Sequence, residues 1–392
     1  MRGPARLLAL LAVAAATNAQ GAVAAASDRF VPDDPGFVVA NVRQAQPDDR
    51  LRDLIVAWRA NPTATAESVV LATAYVERAR ALREPMYFGR AEAVLAPLSS
   101  RAGAAPSVRR LYAEILQHRH EFTAAEALLD ALLREYPHDL DARLLRASVR
   151  LVRGDFAGAR SDCAQLAVSG GSSATAGFAC LAEALAGGGN LSRALALLDS
   201  QITEHASADS SARAYLLATR AELHERKGDL DGATADYREA LKLAPRDDSI
   251  RAALADALAA GGEVFEAREL LAIDKPSLGL LVRSAALSTG ARREEFSARA
   301  TTWLTLEAAR GDAIHHREEA LLALANANPA RALAAAKKNF EIQRELPDVR
   351  VLARAALAAR DVPALQALRL WLQETGYRDS VTESILGDGA RS

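Results

Sequence analysis

An alanine that recurs at nearly constant spacing is the feature that most constrains how this chain can fold. Its positions are Ala125, Ala159, Ala194, Ala233 and Ala267, separated by 34, 35, 39 and 34 residues. A second alanine keeps the same rhythm half a unit earlier, at Ala113, Ala147, Ala182, Ala221 and Ala255. Two markers in phase at this period predict a repeat architecture, in which one small helical or stranded unit is stacked many times.

A short turn lies between the two alanines of each unit. It reads HE at 120–121, GD at 154–155, GN at 189–190, GD at 228–229 and GE at 262–263. Glycine at the first position can take the left-handed conformation that ends a helix, and Asp or Asn at the second can begin the next helix. Each unit is therefore predicted to be two antiparallel helices, which the small alanines allow to approach closely. At His120 we expect a strained or slightly different turn.

The composition favours helices throughout. Half of the residues are hydrophobic but only 5% are aromatic, and alanine and leucine supply most of the apolar content. These are strong helix formers. Valine and isoleucine are sparse, and no alternating run of β-branched residues is long enough to indicate a sheet. The predicted fold class is all-α.

These features resemble the tetratricopeptide repeat (TPR), a helix-turn-helix unit of about 34 residues. The resemblance rests on the two alanine phases, the Gly-Asp turns, a large residue in the phase of Tyr237, and the closing prolines Pro137 and Pro245. It is strongest over 106–139 and 214–247. The resemblance implies an α-solenoid of stacked hairpins that winds into a right-handed superhelix with a concave groove.

The chain is predicted to divide into five segments. These are a signal peptide at 1–26, an extended lead-in at 27–47, a capping helix with an atypical helical repeat at 48–105, TPR-like repeats at 106–275, and degenerate helical hairpins with a C-terminal cap at 276–392. In the last segment the alanine markers drift, but turns such as NANPA and ARDVP still separate stretches of helical length. A continuing solenoid is favoured there over a separate fold.

The amino terminus has the organisation of a secretory signal peptide. Two arginines precede an uncharged run from Leu7 to Ala16, and small residues follow, with cleavage predicted after Ala19, Ala22 or nearby alanines up to Ala26. An organellar transit peptide is the alternative, but such peptides often carry more Arg and Ser. No later apolar stretch approaches the ~20 residues of a membrane span. We expect an exported chain, in a bacterial periplasm, with no transmembrane segment after cleavage.

The charge and the cysteine content limit the possible functions further. The formal net charge is −2, which gives no electrostatic reason to bind nucleic acid. The two cysteines, Cys163 and Cys180, fall on helices that pack together in the predicted register, so an exported chain can join them in a disulfide. The alternative is that both are buried small apolar residues.

No catalytic, metal or cofactor motif is found. The glycines at 187–189 are not followed by the Gly-Lys of a phosphate-binding loop, and neither HExxH nor GxSxG occurs. His118 and His120 are two residues apart and His315 and His316 are adjacent, so neither pair has the i, i+4 spacing that chelation on a helix favours. All four are predicted to be structural or surface residues, and no cofactor is expected.

A partner-binding groove is the site that the resemblance implies. In TPR proteins the first helix of each unit commonly lines it. The groove residues predicted in this way are Arg110, Glu114, Gln117, Glu183, Tyr215, Glu222 and Asp256. The four acidic ones share one phase, which favours a basic or amine-bearing partner segment. The alternative is that this phase is simply a solvated charged face.

The preferred functional hypothesis is a non-catalytic, exported scaffold or adaptor that binds a protein or peptide in the cell envelope. Two alternatives stay open. One is a small-ligand-binding or enzymatic protein with a pocket among the helices after Leu278. The other is an architectural subunit of an envelope complex.

Overall fold

The computed structural model describes residues 49–388, except 83, 85, 100–102, 205–209 and 311–314. The predicted signal peptide and lead-in, at 1–47, lie outside the described residues. Residues from Arg50 onward form one compact unit. In the described part of the chain there are 20 α-helices and no strand, and none of these helices is both long and apolar enough to cross a bilayer.

The helices up to the end of the TPR-like segment are arranged as successive hairpins. They are α1 Asp49–Ala60, α2 Thr65–Leu82, α3 Met86–Ser99, α4 Pro106–His118, α5 Phe122–Glu135, α6 Leu140–Arg153, α7 Phe156–Ala167, α8 Gly171–Gly187, α9 Leu191–Glu204, α10 Ser210–Lys227, α11 Leu230–Leu243, α12 Asp248–Ala260 and α13 Val264–Leu271. The even-numbered helices from α4 to α12 are the first helices of their units. Each packs on the helix that follows it, and α4, α6, α8 and α12 also pack on the next even-numbered helix.

Seven further helices complete the chain. They are α14 Leu278–Leu287, α15 Gly290–Arg310, α16 His316–Ala325, α17 Pro329–Ile342, α18 Leu346–Ala358, α19 Val362–Thr375 and α20 Ser380–Asp388. Helices α14 to α19 begin and end within a few residues of the expected turns. Helix α20 was not expected from the sequence. The chain is an all-α solenoid of TPR-like hairpins.

The marker alanines lie where the helices of a unit cross. All ten, from Ala113 to Ala267, have no solvent-exposed surface. The large residue of the Tyr237 phase is buried as well, with Leu129, Cys163 and Leu198 at 0% exposure. Helix proximity at the alanines and side-chain packing at the large position therefore hold each hairpin together.

The turns share one backbone conformation. Gly154, Gly189, Gly228 and Gly262 have φ between 78° and 89°, and His120 reaches the same left-handed region at 60°. The amide after each of these residues donates to a helix carbonyl five residues earlier, as Asp155 does to Arg150 at 2.9 Å. A side chain at His120 makes this conformation cost roughly 1–2 kcal/mol more than glycine does. The strain expected at His120 is thus present in its backbone.

The later hairpins keep this turn without its glycine. Ala327 and Arg360 have φ of 53° and 54°, and Asn328 and Asp361 then donate backwards at 2.9 Å to Ala323 and Ala356. The side chains of Asn328 and Asp361 also cap the next helices, α17 and α19. The repeat geometry therefore persists where its sequence marker is lost.

The C-terminal helices fold back onto the turn edge of the middle repeats. The Arg344 amide donates to the Val152 carbonyl at 2.6 Å. The Phe156 ring lies 6.4 Å from that of Trp371 and 5.8 Å from that of Tyr377. A Cβ added at Gly189 would come within 2.9 Å of the Gly376 carbonyl oxygen. We call this set of contacts the closing contact.

Buried charges belong to the closing contact as well. The Arg350 guanidinium lies 2.7 Å from Glu225 and 2.8 Å from Asp379, whose carboxylate side chains are 5% and 0% exposed. Arg226 donates to the Arg378 carbonyl at 3.0 Å, and its guanidinium lies 3.9 Å from the centre of the Tyr377 ring. Each buried charge therefore has a partner, as burial requires, and the Arg350–Glu225 pair and the Arg226 hydrogen bond cross the contact.

Candidate functional site

The first-helix face between α8 and α10 holds the central predicted groove residues. The Tyr215 hydroxyl donates to Glu183 at 3.1 Å, and the Thr219 hydroxyl donates to the same oxygen at 3.3 Å. Glu222 follows on α10 and interacts electrostatically with Glu183. Tyr215 is 41% exposed. We call these four residues the α8–α10 site.

The two carboxylates of the α8–α10 site have raised pKa values. Burial, followed by the nearby charge of Glu222, raises the pKa of Glu183 to about 8. Burial also raises the pKa of Glu222 to about 7, with Arg226 opposing the rise and Glu345 adding to it. Both groups are therefore protonated in part of the population at neutral pH. The predicted acidic stripe is only partly ionised here.

The outer members of the predicted stripe already have partners in neighbouring units. Glu114 on α4 pairs with Arg80 of α2, and Asp256 on α12 pairs with Arg283 of α14 at 2.8 Å. Arg110 pairs with Asp139, the N-cap of α6, at 2.8 Å. The structure thus gathers Glu183, Tyr215 and Glu222 into one site and leaves these three residues in separate ion pairs.

The two cysteines are joined. Cys163 on α7 and Cys180 on α8 form a disulfide, with their Cα atoms 5.5 Å apart. Both residues are buried, at 0% and 2% exposure. The bond ties the second helix of one unit to the first helix of the next, within the packing that the register predicted.

A second candidate site is a cavity of about 650 Å³. Its lining residues belong to α3–α6, to α12 and α15, to the position just before α16 and to the segment joining α17 to α18. Its polar lining includes Gln117, His118, His120, Glu307, His315 and Gln343. We call it the histidine cavity. Gln117, which was predicted as a groove residue, lies here and not in the α8–α10 site.

The histidines of the cavity are packed against aromatic rings. His118 stacks on Phe88 with ring centres 4.2 Å apart, and His120 stacks on Phe122 at 5.5 Å. His120 also meets the ring of His315 edge-on at 5.6 Å. Burial lowers the pKa of both His118 and His120 to about 4, with Arg80 and His315 respectively as the next causes. Both imidazoles are therefore neutral at physiological pH.

Glu307 is the buried acid of this cavity. It is 2% exposed, accepts from the Trp303 indole at 2.7 Å, and lies 3.5 Å from Nε2 of His315. Burial opposes the protonation of His315, but Glu307 and Glu318 outweigh it and raise the pKa of His315. The second oxygen of Glu307, Oε2, and Nδ1 of His120 are buried and have no hydrogen-bond partner among the described residues.

Sequence reasoning treated these histidines as separate pairs. The structure instead brings His118, His120 and His315 around one cavity, because the later hairpins return to α3–α6. No spacing in the sequence signals this meeting. In the described residues, no three His, Cys, Asp or Glu side chains are arranged to hold a metal ion.

The chain aligns with several solved structures at 14–23% sequence identity. It matches no protein-family model and no curated protein. A thermophilic TPR protein from Thermus thermophilus aligns at 23% identity over 50% of this chain and all of its own, with a TM-score of 0.39. A tetratricopeptide repeat protein from Parabacteroides merdae aligns at 14% identity over 72% and 98% of the two chains, with a TM-score of 0.41.

A third similar structure is the human IFIT1 dimer with m7Gppp-AAAA. It aligns at 14% identity over 88% of this chain and 86% of its own, with a TM-score of 0.41. Likeness at these identities and TM-scores carries no argument about function. The description of the fold rests on the hairpins of this chain itself.

Proposed function

We propose that this chain is an exported, non-catalytic scaffold that binds a basic segment of a partner protein at the α8–α10 site, in the cell envelope. The observation that carries the proposal is the exposure of Tyr215. Large aromatic rings that remain reachable inside a recess are typical anchors of protein interfaces, since they supply contact area and a polar tip at low entropic cost. Its neighbours are carboxylates, which suit a lysine or arginine.

A cation has a specific advantage at this site. Burial keeps Glu183 and Glu222 partly protonated, helped by the charge of Glu222 at Glu183 and by that of Glu345 at Glu222. A bound ammonium or guanidinium would lower both pKa values, so binding should release protons and strengthen as the pH rises from about 6 to 9. An acidic or neutral segment would not show this dependence.

Export is supported by two features. The leader has the basic, apolar and small-residue regions of a signal peptide, and the disulfide between Cys163 and Cys180 suits an oxidising compartment. Cell fractionation with N-terminal sequencing of the mature chain tests this part. We expect a periplasmic chain that begins between residues 20 and 27, and a cytoplasmic chain that keeps its leader would overturn it.

Site-specific crosslinking tests the binding part. The photoreactive residue p-benzoylphenylalanine replaces Tyr215 in cells that express the chain, and it replaces Phe265 as the matched control because that ring is 77% exposed on α13. We expect a protein adduct at position 215 only, weakened by the further substitutions Glu183→Gln and Glu222→Gln. Equal adducts at both positions, or none at 215, would contradict the proposal.

A further inference from the structure

We propose that the histidine cavity is a second site, which binds a small organic amine with an apolar portion. This goes beyond the scaffold function, because the cavity lies apart from the α8–α10 site and needs no protein partner. Its buried polar atoms leave hydrogen-bonding capacity unused.

Glu307 determines the sign of the ligand's charge. One of its oxygens is engaged by Trp303 and His315, while Oε2 is buried without a donor among the described residues. A carboxylate oxygen can only accept, so its missing partner has to be a donor. Leaving such an atom unsatisfied is costly, and a positively charged donor compensates it best.

His120 offers an acceptor and not a competing charge. Nε2 of His118 already accepts from Arg80, which lies 3.3 Å away and can only donate, and His315 is the partner of Glu307. His120 presents an unpartnered Nδ1, and the lowered pKa keeps its ring neutral. An ammonium group has three donors, so it can satisfy Glu307 and a neutral imidazole together.

The other charges at the cavity are already paired. Arg119 is held by Glu92 and Glu121, and Glu345 is held by Arg317. Glu307 therefore remains the acid with an open position. An anionic ligand would meet this carboxylate without a free cation among these groups to oppose it.

Size and lining complete the description of the ligand. A volume of about 650 Å³ lies within the usual range of small-molecule sites, roughly 300–1,000 Å³. Phe88 and Phe122 lie on the same lining as the stacked imidazoles. Aromatic faces attract organic cations and cover apolar carbon. A metal ion is a poorer fit, because no three of the described ligand-type side chains converge on one point.

Calorimetric titration of the purified mature chain at pH 7.5 tests the proposal. The probes are three amines, 2-phenylethylamine, agmatine and cadaverine, and two analogues of the first with other head groups, 2-phenylethanol and phenylacetate. We expect at least one amine to bind at millimolar concentration or below, and the alcohol and the acid to bind at least about tenfold more weakly than 2-phenylethylamine or not at all.

Two variants locate the binding. Glu307→Gln should weaken amine binding roughly 10- to 100-fold, the loss expected for a charge-assisted hydrogen bond. Glu266→Gln, at an exposed ion pair on α13, should leave it unchanged. Circular dichroism confirms that both variants fold, and His120→Asn provides a second reading if Glu307→Gln does not. Failure of all three amines, preference for phenylacetate, or amine binding unaffected by both cavity variants would overturn the proposal. Loss of the crosslink at position 215 would not affect it.

Discussion

The TPR-like repeats at 106–275 and the hairpins after 276 reach the same geometry with different residues. In the first region the turn is closed by glycine in all but one unit, and alanine recurs at both crossing positions. In the second region Ala327 and Arg360 adopt the left-handed turn at φ near 54°. Both regions nevertheless make the same backward hydrogen bond, such as Asp229 to His224 and Asp361 to Ala356 at 2.9 Å.

This difference shows that the turn geometry does not depend on one residue type. The hydrogen bonds of the turn belong to the backbone, so any residue that tolerates the conformation can close it, at a cost that packing offsets. The later hairpins gain that packing from the closing contact. The four predictions below test how far the second region depends on the first, from the largest expected effect to the smallest.

Removing the central charge of the closing contact should have the largest effect. Arg350→Met leaves Glu225 and Asp379 buried without their cation, which should lower the free energy of unfolding by about 3–5 kcal/mol. Urea denaturation followed by circular dichroism measures it. The control is Arg238→Met, which breaks an exposed pair with Glu266 and should cost less than about 1 kcal/mol. Similar losses in the two variants would refute an energetic role for the closing contact.

Removing the disulfide should have the second-largest effect. The double variant Cys163→Ser with Cys180→Ser opens a bond of sequence separation 17 and should cost about 3 kcal/mol in unfolding free energy. A reductant should destabilise the natural chain and leave the double variant unaffected. If the reductant shifts both proteins equally, the bond is not the cause.

The effect of Glu183 should depend on pH. Its folded pKa of about 8 exceeds the ordinary pKa of 4.5, so stability present below pH 4.5 is lost as the pH rises through 8. Glu183→Gln cannot ionise and should gain about 1–3 kcal/mol at pH 9, allowing for its partial exposure, and little at pH 5. Thermal unfolding at both pH values measures this, with the exposed Glu239→Gln as the control. A gain that is equal at both pH values would contradict the burial of Glu183.

Exchanging the turn residues should give the smallest stability changes, and it compares the two regions directly. Gly154→Ala should lower the free energy of unfolding by about 1–2 kcal/mol. The backbone at this position has a left-handed φ, and the added Cβ would lie 3.2 Å from Arg344. Ala327→Gly and Arg360→Gly should each gain about 0.5–1 kcal/mol, since relief of strain exceeds the added chain entropy. Melting temperatures of the three variants measure both directions. A lower melting temperature in all three variants would show that the side chains at these turns contribute more to stability than the backbone conformation does.

Periodicity predicted the parts of the fold that repeat. The ten alanines, the turns and the helices up to α19 follow from contacts within one unit or between neighbours, and such contacts leave a mark at fixed spacing. The strain at His120 could be anticipated in the same way, because every other unit shows glycine there.

The closing contact could not be predicted by that reasoning. Arg350 meets Glu225 at a separation of 125 residues, and nothing in one sequence distinguishes this pair from the many charged residues of helix surfaces. The same limit applied to the prediction of the candidate sites. Tyr215 and Glu183 were found because they lie on neighbouring first helices, whereas Glu307 and His315 of the histidine cavity were not linked to His120.

The closing contact also changes how the molecule should respond to local opening. An open solenoid unravels from either end, since each hairpin contacts only its neighbours. Here α18–α20 bind the middle of the chain, so opening α10 also exposes the C-terminal helices. Native-state hydrogen exchange should therefore show the amides of α10, α18 and α20 opening as one cooperative unit. Long-range contacts of this kind also slow folding, so we expect this array to fold more slowly than an open array of equal length.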